Sequence, residues 1–179
     1  MDDSTLSKSE AGKALGLKHM REAAFVAGQW VNDGDRLEVD DPAEEAVFGS
    51  VPKVSASEVD RAVQAAADAF PAWSGRRETD RAEFLRRWAD LIDRDLEGLG
   101  ALLAMENGKP WAEAKGEIAY ANQFNRWFAG EAERMNGDII PSPLAQDRIA
   151  TFKQAVGLGM NSPFSRSASP ANHLTNWLA

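Results

Sequence analysis

No cysteine occurs among the 179 residues. That excludes a disulfide framework, a thiolate nucleophile within this stretch, and any zinc site with a thiolate ligand. Histidine is nearly as scarce, with His19 and His173 standing at opposite ends of the sequence. A metal centre or a Ser-His-Asp arrangement would have to draw one of them from a terminus, where the rigid support that catalytic groups need is lacking. Positive charge is in deficit, 20 Lys and Arg against 28 Asp and Glu, for a net charge of −8. Neutralising phosphates or binding a membrane through a polybasic face requires the opposite balance, so neither nucleic acid nor membrane is expected as a partner. Apolar runs are short. The stretch Ala101 to Met105 is typical, and a bilayer-spanning helix needs about 20 apolar residues. The first 22 residues mix Asp, Lys, Ser and Gly and hold no apolar stretch suited to a secretory signal. A cytoplasmic location is the expectation.

What is present is an ordinary globular composition, 44% hydrophobic and 27% charged, enough chain for one domain with a core. Residues 1–22 read as a polar arm. Phe25 to Val31 reads as a hairpin around Gly28, and Arg36 to Asp40 alternates like a half-buried strand. Asp41-Pro42 breaks that strand, and Ala46 to Val51 returns. Ser55-Ala56-Ser57-Glu58 has the spacing of a helix-opening capping box. Val59, Ala62, Val63, Ala66, Ala67 and Phe70 then follow at helical spacing until Pro71, where the pattern stops. From Thr79 a second helix carries Leu85, Trp88, Leu91, Ile92, Leu96 and Leu99 on one stripe. Gly98 and Gly100 divide it from a short helix ending at Asn107-Gly108. A third long helix is expected over Trp111 to Asn136. One apolar stripe on it is Trp111, Ala114, Ile118, Ala121, Phe128, Ala132 and Met135; Tyr120, Phe124 and Trp127 form a second. A helix apolar on two faces is covered on both or lines a cavity on one, core packing being the commoner outcome. Asp138 to Lys153 reads as a projecting hairpin around a Pro-containing loop.

Residues 161–179 differ in kind. They hold four Ser, three Asn and two Pro, and no Asp or Glu follows Asp147. This segment is expected to be an unstructured tail unrelated to what precedes it. The motifs that announce chemistry are missing. Gly157-Leu158-Gly159 opens a Gly-x-Gly, but Ser162 stands where a dinucleotide fingerprint needs its third Gly. There is no P-loop, no His-Glu-x-x-His and no Gly-x-Ser-x-Gly.

The order of the segments carries a resemblance. Phe25-Val26-Ala27-Gly28-Gln29-Trp30 resembles an opening hairpin of the type F-I-N-G-x-W. Asp41-Pro42-Ala43-Glu44-Glu45 occupies the place of an N-P-A-T-G-E turn, with Asp for Asn and Glu for Gly. Phe70-Pro71-Ala72-Trp73 is similar to an F-x-x-W helix end, Arg81-Ala82-Glu83-Phe84-Leu85 to R-A-x-x-L, and Glu106-Asn107-Gly108-Lys109-Pro110 to E-x-G-K-P. Glu113-Ala114-Lys115-Gly116-Glu117 matches E-A-x-x-E, and Lys153-Gln154-Ala155-Val156-Gly157 matches K-Q-P-V-G with Ala155 for Pro. Together, from Phe25 to Gly157, these resemble the start of the aldehyde dehydrogenase superfamily. The stretch from Phe124 to Ile140 looks most like its succinate-semialdehyde branch.

The resemblance implies an α/β fold. Residues 23–160 would be the N-terminal helical part of the family's cofactor domain, with small antiparallel hairpins and an incomplete parallel sheet. The hairpin at 138–153 would belong to the oligomerisation region. Intact relatives oxidise a small aldehyde, succinate semialdehyde in this branch, with NAD or NADP. Their nucleophilic Cys, general-base Glu and Gly-rich cofactor segment lie further along than this sequence reaches. Leu158 to Phe164 departs from the family's T-P-W-N-F-P loop, so Asn161 takes over no oxyanion role. No catalytic, cofactor-binding or metal residue is therefore assigned, and no bound cofactor is expected. Tyr120 and Phe124, four apart on one helix face, are the candidates for the wall of the aldehyde channel. The expectation is a truncated, inactive relative. Its alternatives are an interaction module that self-associates or joins a full-length relative, and a frameshifted gene fragment.

Overall fold

The computed structural model describes residues 10–144 and 146–157. Its first element is a helix, α1 (Glu10–Leu17), inside the segment read as a polar arm. Eight residues containing Gly12 and Gly16 have little helical drive of their own. Tertiary contact supplies the rest. Both glycines are buried, and a Cβ on Gly16 would stand 2.9 Å from the backbone nitrogen of Leu102. The arm thus lies backbone against backbone on a later helix, a proximity that only glycine permits. The Lys13 ammonium donates to Glu44, and the Glu22 carboxylate accepts from the Ser50 amide at 2.8 Å, which secures the strap at both ends.

Two antiparallel hairpins follow. Strands β1 (Ala24–Val26) and β2 (Gln29–Val31) pair with Phe25 opposite Trp30, the rings 5.1 Å apart. Strands β3 (Arg36–Asp41) and β4 (Ala46–Pro52) pair from end to end around one bulge, where Phe48 has no partner. The turn between them is held by Asp41, 7% exposed, whose carboxylate accepts from the Ala43 amide at 2.8 Å. Asp and Asn both make this local bond, so the departure from Asn at this position keeps the turn.

Helix α2 (Ala56–Ser74) begins with the serine half of the capping box, the Ser55 hydroxyl accepting from the Glu58 amide at 3.3 Å, while the Glu58 carboxylate turns to Arg61. It does not stop at Pro71. A last turn runs to Ser74, and the Pro71 carbonyl accepts from the Gly75 amide at 3.1 Å. Proline there forfeits the bond of its missing N–H and crowds the carbonyl four residues earlier, yet the helix runs one turn past it. No residue of α2 is fully buried.

The core lies among three helices: α3 (Glu78–Arg94), α4 (Leu96–Asn107) and α5 (Trp111–Ala132). Ile92, Ala101, Leu103, Ala104, Trp111, Ala114 and Ile118 are its buried cluster, with Trp88, Leu96 and Leu99 packed against it. The division between α3 and α4 falls at Asp95, not at Gly98 or Gly100. Both glycines are buried inside α4, against His19 and Lys115. They are there for proximity to neighbours and do not weaken the helix into two. Leu91, placed on the core stripe by its spacing, is 48% exposed. Gly108 ends α4 in the left-handed conformation at φ 67°, as expected of a glycine stop.

Helix α5 ends at Ala132, four residues short of the expected Asn136. Two tightened turn bonds, Glu133 to Gly130 and Arg134 to Glu131, close it. The Lys153 ammonium donates to the freed Arg134 carbonyl at 2.8 Å. Strands β5 (Ile139–Pro141) and β6 (Arg148–Ala150) then form a hairpin exposed at every residue. All three described sheets are two-stranded and antiparallel. The tail expected over residues 161–179 lies outside the described residues.

Candidate functional site

The buried face of α5 is Trp111, Ala114, Ile118, Asn122 and Ala129. At about 100° per residue these positions stay within roughly 80° of one another around the axis. The stripe read from apolar residues alone skips Asn122 and drifts sideways to Ala121, Phe128 and Ala132. Phe128 is accordingly 56% exposed, against the expectation that it packs with Ile118, which is 5% exposed. Asn122, at 1%, takes the core position instead.

The opposite face carries Tyr120, Phe124 and Trp127, exposed by 66%, 48% and 63%. The Tyr120 and Phe124 rings meet edge to face with centroids 5.3 Å apart. Such a pair is favourable by about 0.5–1.5 kcal/mol beyond area burial, so it forms a preset apolar wall on one side of the helix. Core packing and this bare aromatic strip thus lie on opposite sides of one rod.

Two acidic groups stand out. The Asp93 carboxylate, at the seam between α3 and α5, is held below the usual range by the Arg126 guanidinium and by the Asn122 amide. Glu106 is the reverse case. It sits in the last turn of α4, largely buried, and its Oε2 has no hydrogen-bond partner. Burial pushes its pKa from 4.5 to about 7. The cation nearest in sequence, Lys109, is engaged by Glu117. The sequence showed Glu106 only as the first letter of E-x-G-K-P. The signal that could have found it is an acid ending the apolar run of α4 with its nearby lysine turned to another partner.

No described group of His, Asp and Glu could hold a metal ion. An open hollow on α3 is lined by Arg87, Asp90, Leu91 and Arg94. Asp90 is paired with Arg126 and Arg94 with Asp95, which leaves the exposed Arg87 as the lining charge outside these pairs. Among the described residues the positive-φ glycines are Gly28, Gly34, Gly108 and Gly157, and none of them opens a helix in the way a pyrophosphate cradle does. No described helix is long and apolar enough to cross a membrane.

The profile of the aldehyde dehydrogenase family matches residues 30–165. The chain belongs to that family. The matched stretch ends five residues into the segment read as an unrelated tail. Glutarate-semialdehyde dehydrogenase of Pseudomonas aeruginosa is 46% identical over 143 residues, covering 79% of this chain and 30% of the relative. The NADP(+) succinate-semialdehyde dehydrogenase of Escherichia coli is 42% identical over 140 residues, 77% of this chain and 29% of the relative. Among solved structures, succinate-semialdehyde dehydrogenase from Burkholderia pseudomallei superposes with a TM-score of 0.69 at 44% identity, covering 73% of this chain and 28% of its own. The chain therefore spans about 30% of the length of these relatives. The succinate-semialdehyde likeness read from Phe124 to Ile140 agrees with these names.

Proposed function

We propose that these residues form the opening segment of an NAD- or NADP-dependent semialdehyde dehydrogenase, and that by themselves they are catalytically silent. The observation that carries the second half is the absence of cysteine from all 179 residues. The family's reaction starts with thiolate attack on the aldehyde carbonyl, and no residue of this chain supplies that atom. What this chain supplies is scaffold. The α3–α4–α5 core holds α5, and α5 presents Tyr120 and Phe124 as one wall of the aldehyde channel.

The bare aromatic strip supports this role for Tyr120 and Phe124. A polar, solvated face is the usual complement to a core-facing stripe, whereas here both sides are apolar. The activity test is NAD or NADP reduction in the presence of succinate semialdehyde. No turnover is expected from the purified chain, and turnover that survives re-purification would overturn the reading. The channel role is tested by grafting residues 25–157 onto the remainder of a succinate-semialdehyde dehydrogenase. Tyr120→Ala should change the Michaelis constant or the choice of aldehyde with a small stability loss. Unfolding with aldehyde preference untouched would assign Tyr120 to packing.

A second reading, association with another copy or with an intact relative, is favoured by the β5–β6 hairpin. Ile139 is 78% and Phe152 82% exposed there, and such edges recruit further strands. Size-exclusion chromatography across a concentration series tests it. A monodisperse monomer at every concentration would dismiss self-association.

A further inference from the structure

Alanines line part of the contact between α3 and α5. Ala82 and Ala89 on α3 are fully buried, and Ala129 on α5 is 1% exposed. At such positions a slide of one helix past the other by a turn, about 5.4 Å, exchanges one small surface for another. Ile92, Ile118 and Trp88 belong to the apolar cluster shared with α4 and oppose a slide by shape. A directional polar contact selects the register more sharply.

Asn122 is the one polar side chain fully buried in this seam, 1% exposed. Its amide nitrogen donates to the Ala89 carbonyl at 2.9 Å and to Asp93 Oδ1 at 2.7 Å. Its carbonyl oxygen accepts from Asn125 Nδ2 at 3.2 Å. Arg126 adds a clamp, reaching Asp90 Oδ1 at 3.1 Å and Asp93 as well. A slide by one turn would break the bonds to Ala89 and Asp93 and leave a buried amide without partners, a penalised state. A single buried Asn fixes helix register in coiled coils by this mechanism.

We propose that Asn122 is a positioning residue that locks the register and rotation of α5 against α3. By holding one face of α5 to Ala89 and Asp93, it directs the opposite face, with Tyr120 and Phe124, outward in a fixed orientation. The lock concerns helix geometry alone, so it stands or falls separately from the channel role of those two rings.

The absence of native cysteine makes the test clean. Spin labels are placed on Glu83→Cys in α3 and Gln123→Cys in α5, both at exposed positions, in the full chain, and the interlabel distance distribution is measured. The parent should give one narrow distance. Asn122→Leu should retain helical circular dichroism yet add a second distance, displaced by up to about 5 Å, the axial rise of one helical turn. Asp93→Asn keeps an acceptor for the Asn122 amide and should preserve the single distance, whereas Asp93→Leu should broaden it. Asn122→Ala, a smaller apolar replacement, gives the same reading should leucine prove too large. A single unchanged distance in the folded Leu or Ala variant overturns the proposal. Unfolding of both also overturns it, because Asn122 would then hold the fold together instead of selecting among registers.

Discussion

Glu106 makes stability depend on pH in a way that one substitution can isolate. Folded Glu106 keeps its proton up to about 7, while a solvated glutamate releases it near 4.5. Between those values the folded state binds more protons than the unfolded one, so stability falls as pH rises through the window. The favourable contribution is whole below 4.5 and gone above about 7. At about 1.4 kcal/mol per tenfold change in proton affinity, the difference is about 3 kcal/mol. Glu106→Gln removes the ionisation and keeps the shape of the protonated acid. The variant should match the parent at pH 4.5 and exceed it by about 3 kcal/mol at pH 8. Urea denaturation followed by tryptophan fluorescence, repeated from pH 4.5 to 8.5, measures the difference directly. Asp93 and Glu133, whose carboxyls are held low by Arg126 and Arg86, act in the opposite sense at acid pH. They are common to both proteins and cancel in the comparison. A stability difference that does not change with pH, or a variant weaker than the parent at pH 8, would refute the reasoning.

Further outcomes follow from burial and close approach. Ile118→Ala should lower stability by about 2–5 kcal/mol, as cavity-forming changes at a buried site do; Phe128→Ala, at an exposed position, should cost about 1 kcal/mol or less. Equal losses in chemical denaturation would contradict the placement of Asn122, and not Phe128, on the buried face. Gly16→Val forces a side chain against the Leu102 backbone and should cost about 1–3 kcal/mol. Its mark would be faster amide hydrogen exchange in α1 with protection in α5 unchanged, and intact protection in α1 would refute the backbone seam.

The elements that could be read from sequence are those specified by neighbouring residues. The turns at Ala27-Gly28 and Asp41-Pro42, the Ser55 cap and the Gly108 stop each depend on a few adjacent side chains, and each stands where the pattern put it. What escaped was set by distant partners. The propensity of α1 is poor, and its helix exists because α4 offers a groove for Gly16. The break at Asp95 lies one turn before the glycines because those glycines serve α1 and α5. Hydrophobic periodicity found both faces of α5 but could not rank Asn122 among core residues. The worth of that amide depends on Ala89 and Asp93, about 30 positions earlier. Glu106 escaped for the same reason, since its burial is made by elements that composition does not connect to it.

The docking of α1 also bears on the order of assembly. Helices α3, α4 and α5 are consecutive in the chain, so the contacts among them close short loops and suit early, rapid formation. The contact of α1 with α4 instead joins residues near position 16 to residues near 102. A loop of that length carries a larger entropic cost of closure. What meets there is glycine backbone, with little side-chain burial to offset the cost. The strap should therefore dock last and fray first, as a separate low-stability unit, so that the amino-terminal residues report on local opening long before the three-helix core unfolds.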